Sequence, residues 1–196
     1  MTLEDFLTHV KSTNAIDLAT EFLYRDFVHA IPDESIYKSY LELVRANQQS
    51  SEHVAIMGSG NWKFSLNPIK NFSAYSQKSD IDVAIICRAS FEQVWDELRD
   101  YHRNNFYLLP SNKKDQLKRN GQNVYSGFVS PKWIPGKSLA KFNHNINCNN
   151  YSNEIVGHRT VNVMYFKSKD EAVDYYVRGF KLAQRKSPSQ TIGNKI

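Results

Sequence analysis

Two short apolar runs, at 54–57 and 83–86, constrain this chain more than any other feature. The first stops at Gly58-Ser59, and the second is entered through Asp80-Ile81-Asp82. Apolar runs of about four to eight residues bounded by turn residues read as buried strands. Side chains alternate along a strand, so Asp80 and Asp82 share one face while Ile81 and Val83 take the other. The sequence therefore predicts two buried strands, one leaving through a glycine turn and one entering through a pair of carboxylates.

Two carboxylates on one strand face repel, and hard oxygen ligands suit Mg²⁺ or Mn²⁺. Gly58 lets the backbone turn without a Cβ, which brings N–H groups and the Ser59 hydroxyl near an anion, as in phosphate-cradling loops. An Asp-x-Asp pair also suits a solvated turn. The apolar runs on either side favour buried strands instead.

An apolar strand, Gly-Ser, a spacer and then acid-x-acid on the next strand resembles the nucleotidyltransferase superfamily typified by DNA polymerase β. The matching residues are Gly58, Ser59, Asp80 and Asp82, and SDIDVAII, beginning at Ser79, is close to the family's common form. The spacer is longer than usual, so an insertion is expected at 61–78, read as a flap over the site. The resemblance implies Mg²⁺ or Mn²⁺ on Asp80 and Asp82, and nucleotide phosphates near Gly58, Ser59 and Ser79. It also implies a third carboxylate on a later strand. HRTVNVMYF, at 158–166, reads as that strand, with Thr160, Asn162 and Met164 on one face. Asn162 is the counterpart of the missing acid, and an amide oxygen ligates Mg²⁺ without adding charge.

Elsewhere the pattern is mostly helical. Thr2 followed by Glu4 and Asp5 suits a capped first turn, with Leu3, Phe6, Leu7 and Val10 at helical spacing. A second helix is expected from Asn14 to about Ala30, ended by Pro32, and a third capped by Asp33 or Ser35. Ser90 three residues before Gln93 is a capping-box pattern for a helix at 91–103. A short helix is expected at 112–120, stopped by Gly121. Another starts near Ser168 with Asp170 and Glu171 and ends in Lys181, Arg185 and Lys186. The last ten residues read as a tail.

These elements predict an α/β (α+β) fold with a small mixed sheet, packed helices and an N-terminal helical group, and the resemblance implies that the sheet is of the nucleotidyltransferase type. The expected organisation is one domain over 1–196, with a helical part at 1–50, a core at 53–186 and a tail at 187–196. Hydrophobic residues at 41% and aromatics at 13% place the chain among ordinary globular proteins. It shows neither a membrane-length apolar run nor a charged-then-apolar leader, and its two cysteines are far apart, so a reducing, cytoplasmic setting is expected.

The charge is uneven. Residues 1–58 carry four Lys or Arg against nine Asp or Glu, and residues 103–196 carry sixteen against five. A basic C-terminal half suits a polyanion such as an NTP or RNA, and Trp133 between Lys132 and Lys137 suits either a base platform or the core. P-loop, GxGxxG, HExxH and GxSxG patterns do not occur.

The function implied by the resemblance is Mg²⁺-dependent transfer of a nucleoside monophosphate from an NTP to an RNA, protein or small-molecule acceptor. Proteins of this compact kind also serve in toxin–antitoxin pairs and antiphage systems. The alternative is a degenerate module that binds a nucleotide, nucleic acid or partner protein without turnover, which Asn162 supports.

Overall fold

The computed structural model describes residues 1–186, so the expected tail lies outside the described residues. Helices α1 (Leu3–Ser12), α2 (Ala15–Leu23) and α3 (Glu34–Ala46) precede strand β1 (His53–Met57) and the single turn α4 (Ser59–Trp62). Strand β2 (Ile81–Ile86) leads into α5 (Arg88–Asn105), α6 (Ser111–Tyr125), the short β3 (Phe128–Val129) and α7 (Leu139–Tyr151). Strand β4 (Val161–Phe166) and α8 (Lys169–Lys186) follow.

The strands form a mixed sheet in the order β1-β2-β4-β3. β1 runs antiparallel to β2, β2 parallel to β4, and β4 antiparallel to β3. A parallel neighbour needs a long crossover, here the whole stretch from α5 to α7. Both faces of the sheet are covered, which explains the nearly unbroken apolar runs. Val54, Ile56, Val83, Ile85 and Val163 pack with Tyr40, Phe91 and Leu98 on one face. Ala55, Met57, Ala84, Ile86 and Phe166 pack with Phe6, Phe22 and Phe180 on the other. The N-terminal helices are divided between these two cores: α1 and α2 join α8 on one side, and α3 lies on the other. The mixed α/β architecture is the one the sequence predicts. Among the described residues, no helix is long and apolar enough to cross a membrane.

The two N-terminal caps form as the sequence predicts. Thr2 and Asp5 form the reciprocal cap of α1, and Asp33 accepts from the Ile36 N–H to start α3. Tyr37 then satisfies the Ile56 N–H of edge strand β1.

Other boundaries move for tertiary reasons. α2 stops at Leu23 rather than near Ala30, because the Asn61 amide takes the Phe22 carbonyl at 2.7 Å and the N–H groups of His29 and Ala30 bond to Asn61 and Gly60. α5 starts at Arg88, directly after β2, so Ser90 lies inside its first turn and donates to Gln48 instead of capping. α6 runs through Gly121 to Tyr125, and the left-handed glycine that ends it is Gly127, just after the Ser126 cap, rather than Gly121. α7 is not legible in LAKFNHNINCNNY, where asparagines mask the helix. Ser138 caps it, and Ala140, His144 and Tyr151 face inward at helical spacing.

His144 is only 3% exposed, and burial, with Lys132 and Lys141 nearby, pushes its pKa down to about 4. A histidine kept neutral by folding makes the unfolded chain the stronger proton binder between that value and the ordinary 6.5. Stability is therefore complete above pH 6.5 and is lost as the pH falls toward 4, by on the order of 2–3 kcal/mol. Urea unfolding of His144→Gln should lack this part of the acid slope, and an unchanged slope would refute the assignment.

Candidate functional site

Register brings the sequence-predicted residues together. β2 and β4 pair with Asp82 opposite Asn162, and β1 pairs with β2 so that Met57, the residue before Gly58, stands opposite Asp82. Asp80, just ahead of β2, lies on the same face. The Asn162 amide nitrogen donates to Asp80 Oδ2 at 2.6 Å and to Asp82 Oδ1 at 3.4 Å. Its oxygen accepts from Lys132 Nζ at 3.0 Å. An ammonium can only donate, so Lys132 orients the amide with its NH₂ toward the carboxylates. Burial first, and then the charge of Asp80, push the pKa of Asp82 up to about 6, against the opposing hydrogen bond from Asn162.

Gly58 closes the other side of Asp82. Its φ of 64° and ψ of −157° fall in a region essentially restricted to glycine. A Cβ there would lie 2.7 Å from Asp82 Oδ2, so the turn passes the carboxylate only because the side chain is absent. Ser59 follows at the start of α4.

Gly58, Ser59, Asp80 and Asp82 line one cavity of about 540 Å³, together with Lys70 from the insertion and Arg178 from α8. Trp62 and Tyr176 also line it, although Trp62 Nε1 and the Tyr176 hydroxyl are themselves buried, without a hydrogen-bond partner. Ser79 is placed differently: its hydroxyl accepts from the Ser76 N–H within a turn and lines a second cavity of about 430 Å³. Asp80 lines both cavities. A groove of about 440 Å³ between α5 and α6 shares no lining residue with either.

The flap expected at 61–78 is contradicted where the segment packs into the core. Asn61, Trp62, Phe64 and Phe72 are buried, with Trp62, Phe64 and Phe72 in the core beside α1, α2 and α8. The segment closes on itself through Ser65 N to Ser73 O and Tyr75 N to Lys63 O. Trp133 is half-buried, and the cation over its ring is Arg119, at 5.2 Å, rather than Lys132 or Lys137.

Lys70, Lys132, Arg159, Tyr176 and Arg178 carry no sequence signal for this place. Lys132 is noticeable only as a cation beside Trp133, and its contact with Asn162 spans 30 residues. Among the described residues, no third His, Cys, Asp or Glu joins the aspartates. Comparison of the chain with protein-family models, curated proteins and solved structures yields no match.

Proposed function

We propose that the chain binds a nucleoside triphosphate with one divalent cation and acts as a nucleotidyltransferase. The observation that carries this reading is the contact of Asp80 and Asp82, through Asn162, beneath a glycine turn with no room for a side chain. The donor set fits a hard cation: two carboxylates, one half-buried and destabilised in its charged form by its neighbour. The adjoining cavity fits phosphates, because Lys70 and Arg178 line it and offer positive charge and hydrogen bonds.

Asp80 and Asp82 would hold the cation, which when bound neutralises the triphosphate and favours departure of pyrophosphate. The Gly58 turn and Ser59 position the phosphates, and Lys70 and Arg178 balance their charge. In the transfer, the acceptor oxygen bonds to the α-phosphorus as the bond to the bridging oxygen breaks. Pyrophosphate leaves, and the acceptor proton passes to Asp80 and on to solvent.

The Lys132–Asn162 hydrogen bond favours a second reading, in which the nucleotide is bound with little or no turnover. With its oxygen held by an ammonium, Asn162 supplies neither a proton acceptor nor charge for a second cation.

Mn²⁺ titration by calorimetry and binding of a fluorescent ATP analogue test the shared part. Asp80→Ala and Asp82→Ala should each abolish Mn²⁺ binding and weaken nucleotide binding, and unchanged titrations would defeat both readings. Asn162→Asp is expected to tighten Mn²⁺ about tenfold, or ~1.4 kcal/mol, and to create or raise transfer of label from an α-labelled NTP. Fast transfer by the wild type would instead show that a third carboxylate is not needed.

A further inference from the structure

Transfer needs the entering and leaving oxygens on opposite sides of the phosphorus, and Asp80 stands between two cavities. The cavity with Gly58, Ser59 and Lys70 is the nucleotide side of the proposed function. The second lies beyond Asp80 and is lined only by polar or glycine residues, among them Lys78, Ser79, His158, Arg159 and Thr160. Asp80 is its one carboxylate, and Lys78 and Arg159 are two fixed cations.

Arg159 is built into this wall. Its guanidinium stacks over the Tyr75 ring at 5.2 Å, and Nη1 donates to the Val156 carbonyl at 3.1 Å. Nε has no partner. Gly157 makes room for the guanidinium, since a Cβ there would come within 3.0 Å of Nη1, and its φ is 61°. His158 is also left-handed, at 52°, a conformation rare for a side-chain-bearing residue that keeps the turn tight beside Arg159. Among the described residues, neither Lys78 nor Arg159 forms an ion pair with a carboxylate. The arrangement therefore offers two positive charges, unpaired with any carboxylate, in the same cavity as Asp80.

Resting on the nucleotidyltransferase reading, we propose that this second cavity holds the acceptor, and that the acceptor is the 3′ end of a single-stranded polynucleotide. Such an end carries a phosphate on the same nucleotide as the accepting hydroxyl. Arg159 and Lys78 hold that phosphate while the hydroxyl reaches toward Asp80. A serine, threonine or tyrosine hydroxyl of a protein acceptor brings no charge of its own to two cations.

The probe is a fluorescein-labelled 12-nucleotide oligoribonucleotide with a free 3′-hydroxyl, followed by anisotropy with Mn²⁺ and a non-hydrolysable ATP analogue over a series of salt concentrations. Arg159→Gln and Lys78→Ala should each weaken its binding about tenfold, and each should reduce the salt slope by about 0.7, the change for one phosphate contact on a single strand. Affinity for the fluorescent ATP analogue should stay unchanged. Lys78 is exposed, so its variant tests the idea even if Arg159→Gln fails to fold.

Equal oligonucleotide binding by wild type and both variants would overturn the proposal. So would loss of binding confined to Lys113→Ala and Lys114→Ala on α6, or label from an α-labelled NTP appearing on protein instead of RNA. The underlying reading fails separately: Mn²⁺ and ATP binding indifferent to Asp80→Ala and Asp82→Ala would remove it, whatever the oligonucleotide does.

Discussion

Gly58→Ala is expected to lower stability by about 2–4 kcal/mol and to abolish Mn²⁺ binding. Two effects add. An L-residue held at this backbone conformation costs about 1–3 kcal/mol, and the new methyl, 2.7 Å from Asp82 Oδ2, must displace the carboxylate. Asp82 has little room to yield, because Asn162 holds its other oxygen and the strand fixes its backbone against β1 and β4. Urea unfolding with an unchanged m-value, together with calorimetry, reads both consequences. Gly121→Ala is the control: it sits in a helix with nothing within 4 Å of the added methyl, so it should gain about 0.5–1 kcal/mol. A Gly58→Ala protein as stable as the wild type would show that the turn relaxes at no cost and that the close approach to Asp82 has no role.

Asp82→Asn should do the opposite to stability while destroying the site. At neutral pH and without divalent ions, the variant is expected to be about 1–3 kcal/mol more stable than the wild type. The wild-type carboxylate is half-buried beside Asp80, and a neutral amide of nearly the same shape removes both the burial penalty and the repulsion. Its oxygen can still accept from Asn162. Mn²⁺ should raise the melting temperature of the wild type and leave that of the variant unmoved. Asp80→Asn should gain less, because Asp80 is exposed to solvent. A loss of stability in Asp82→Asn would mean that the negative charge is itself held by a favourable contact, with Lys70 or Lys132 the nearest candidates.

The sequence alone determined the parts whose physics is local. Alternation along 80–86 and 158–166 put Asp80, Asp82 and Asn162 on corresponding strand faces, and in-register pairing of β2 with β4 then brings them into contact. The apolar runs announced strands buried on both sides, and the Thr2 and Asp33 caps announced helix starts, because each needs only neighbours within four residues. Gly58 was legible as a turn. That its missing Cβ makes room for Asp82 was not, because the contact joins two strands.

Only the tertiary structure decided what surrounds the aspartates. Lys132 reaches Asn162 across 30 residues, Lys70 arrives on the insertion, and Arg178 and Tyr176 come from α8. A surface cation looks the same in sequence whether it faces water or a carboxylate. The insertion looked like a flap because it mixes polar and aromatic residues with Pro68 and joins the two halves of the motif, yet Trp62, Phe64 and Phe72 fill the core between α1, α2 and α8. α2 ended early because the Asn61 amide took a carbonyl 39 residues away, which no local propensity records. α7 appeared because packing of Ala140, His144 and Tyr151 outweighed a run of asparagines. Local pattern thus placed the two carboxylates and the amide, whereas chain topology supplied the cations, the cavities and the charge balance around them, through contacts between residues far apart in sequence.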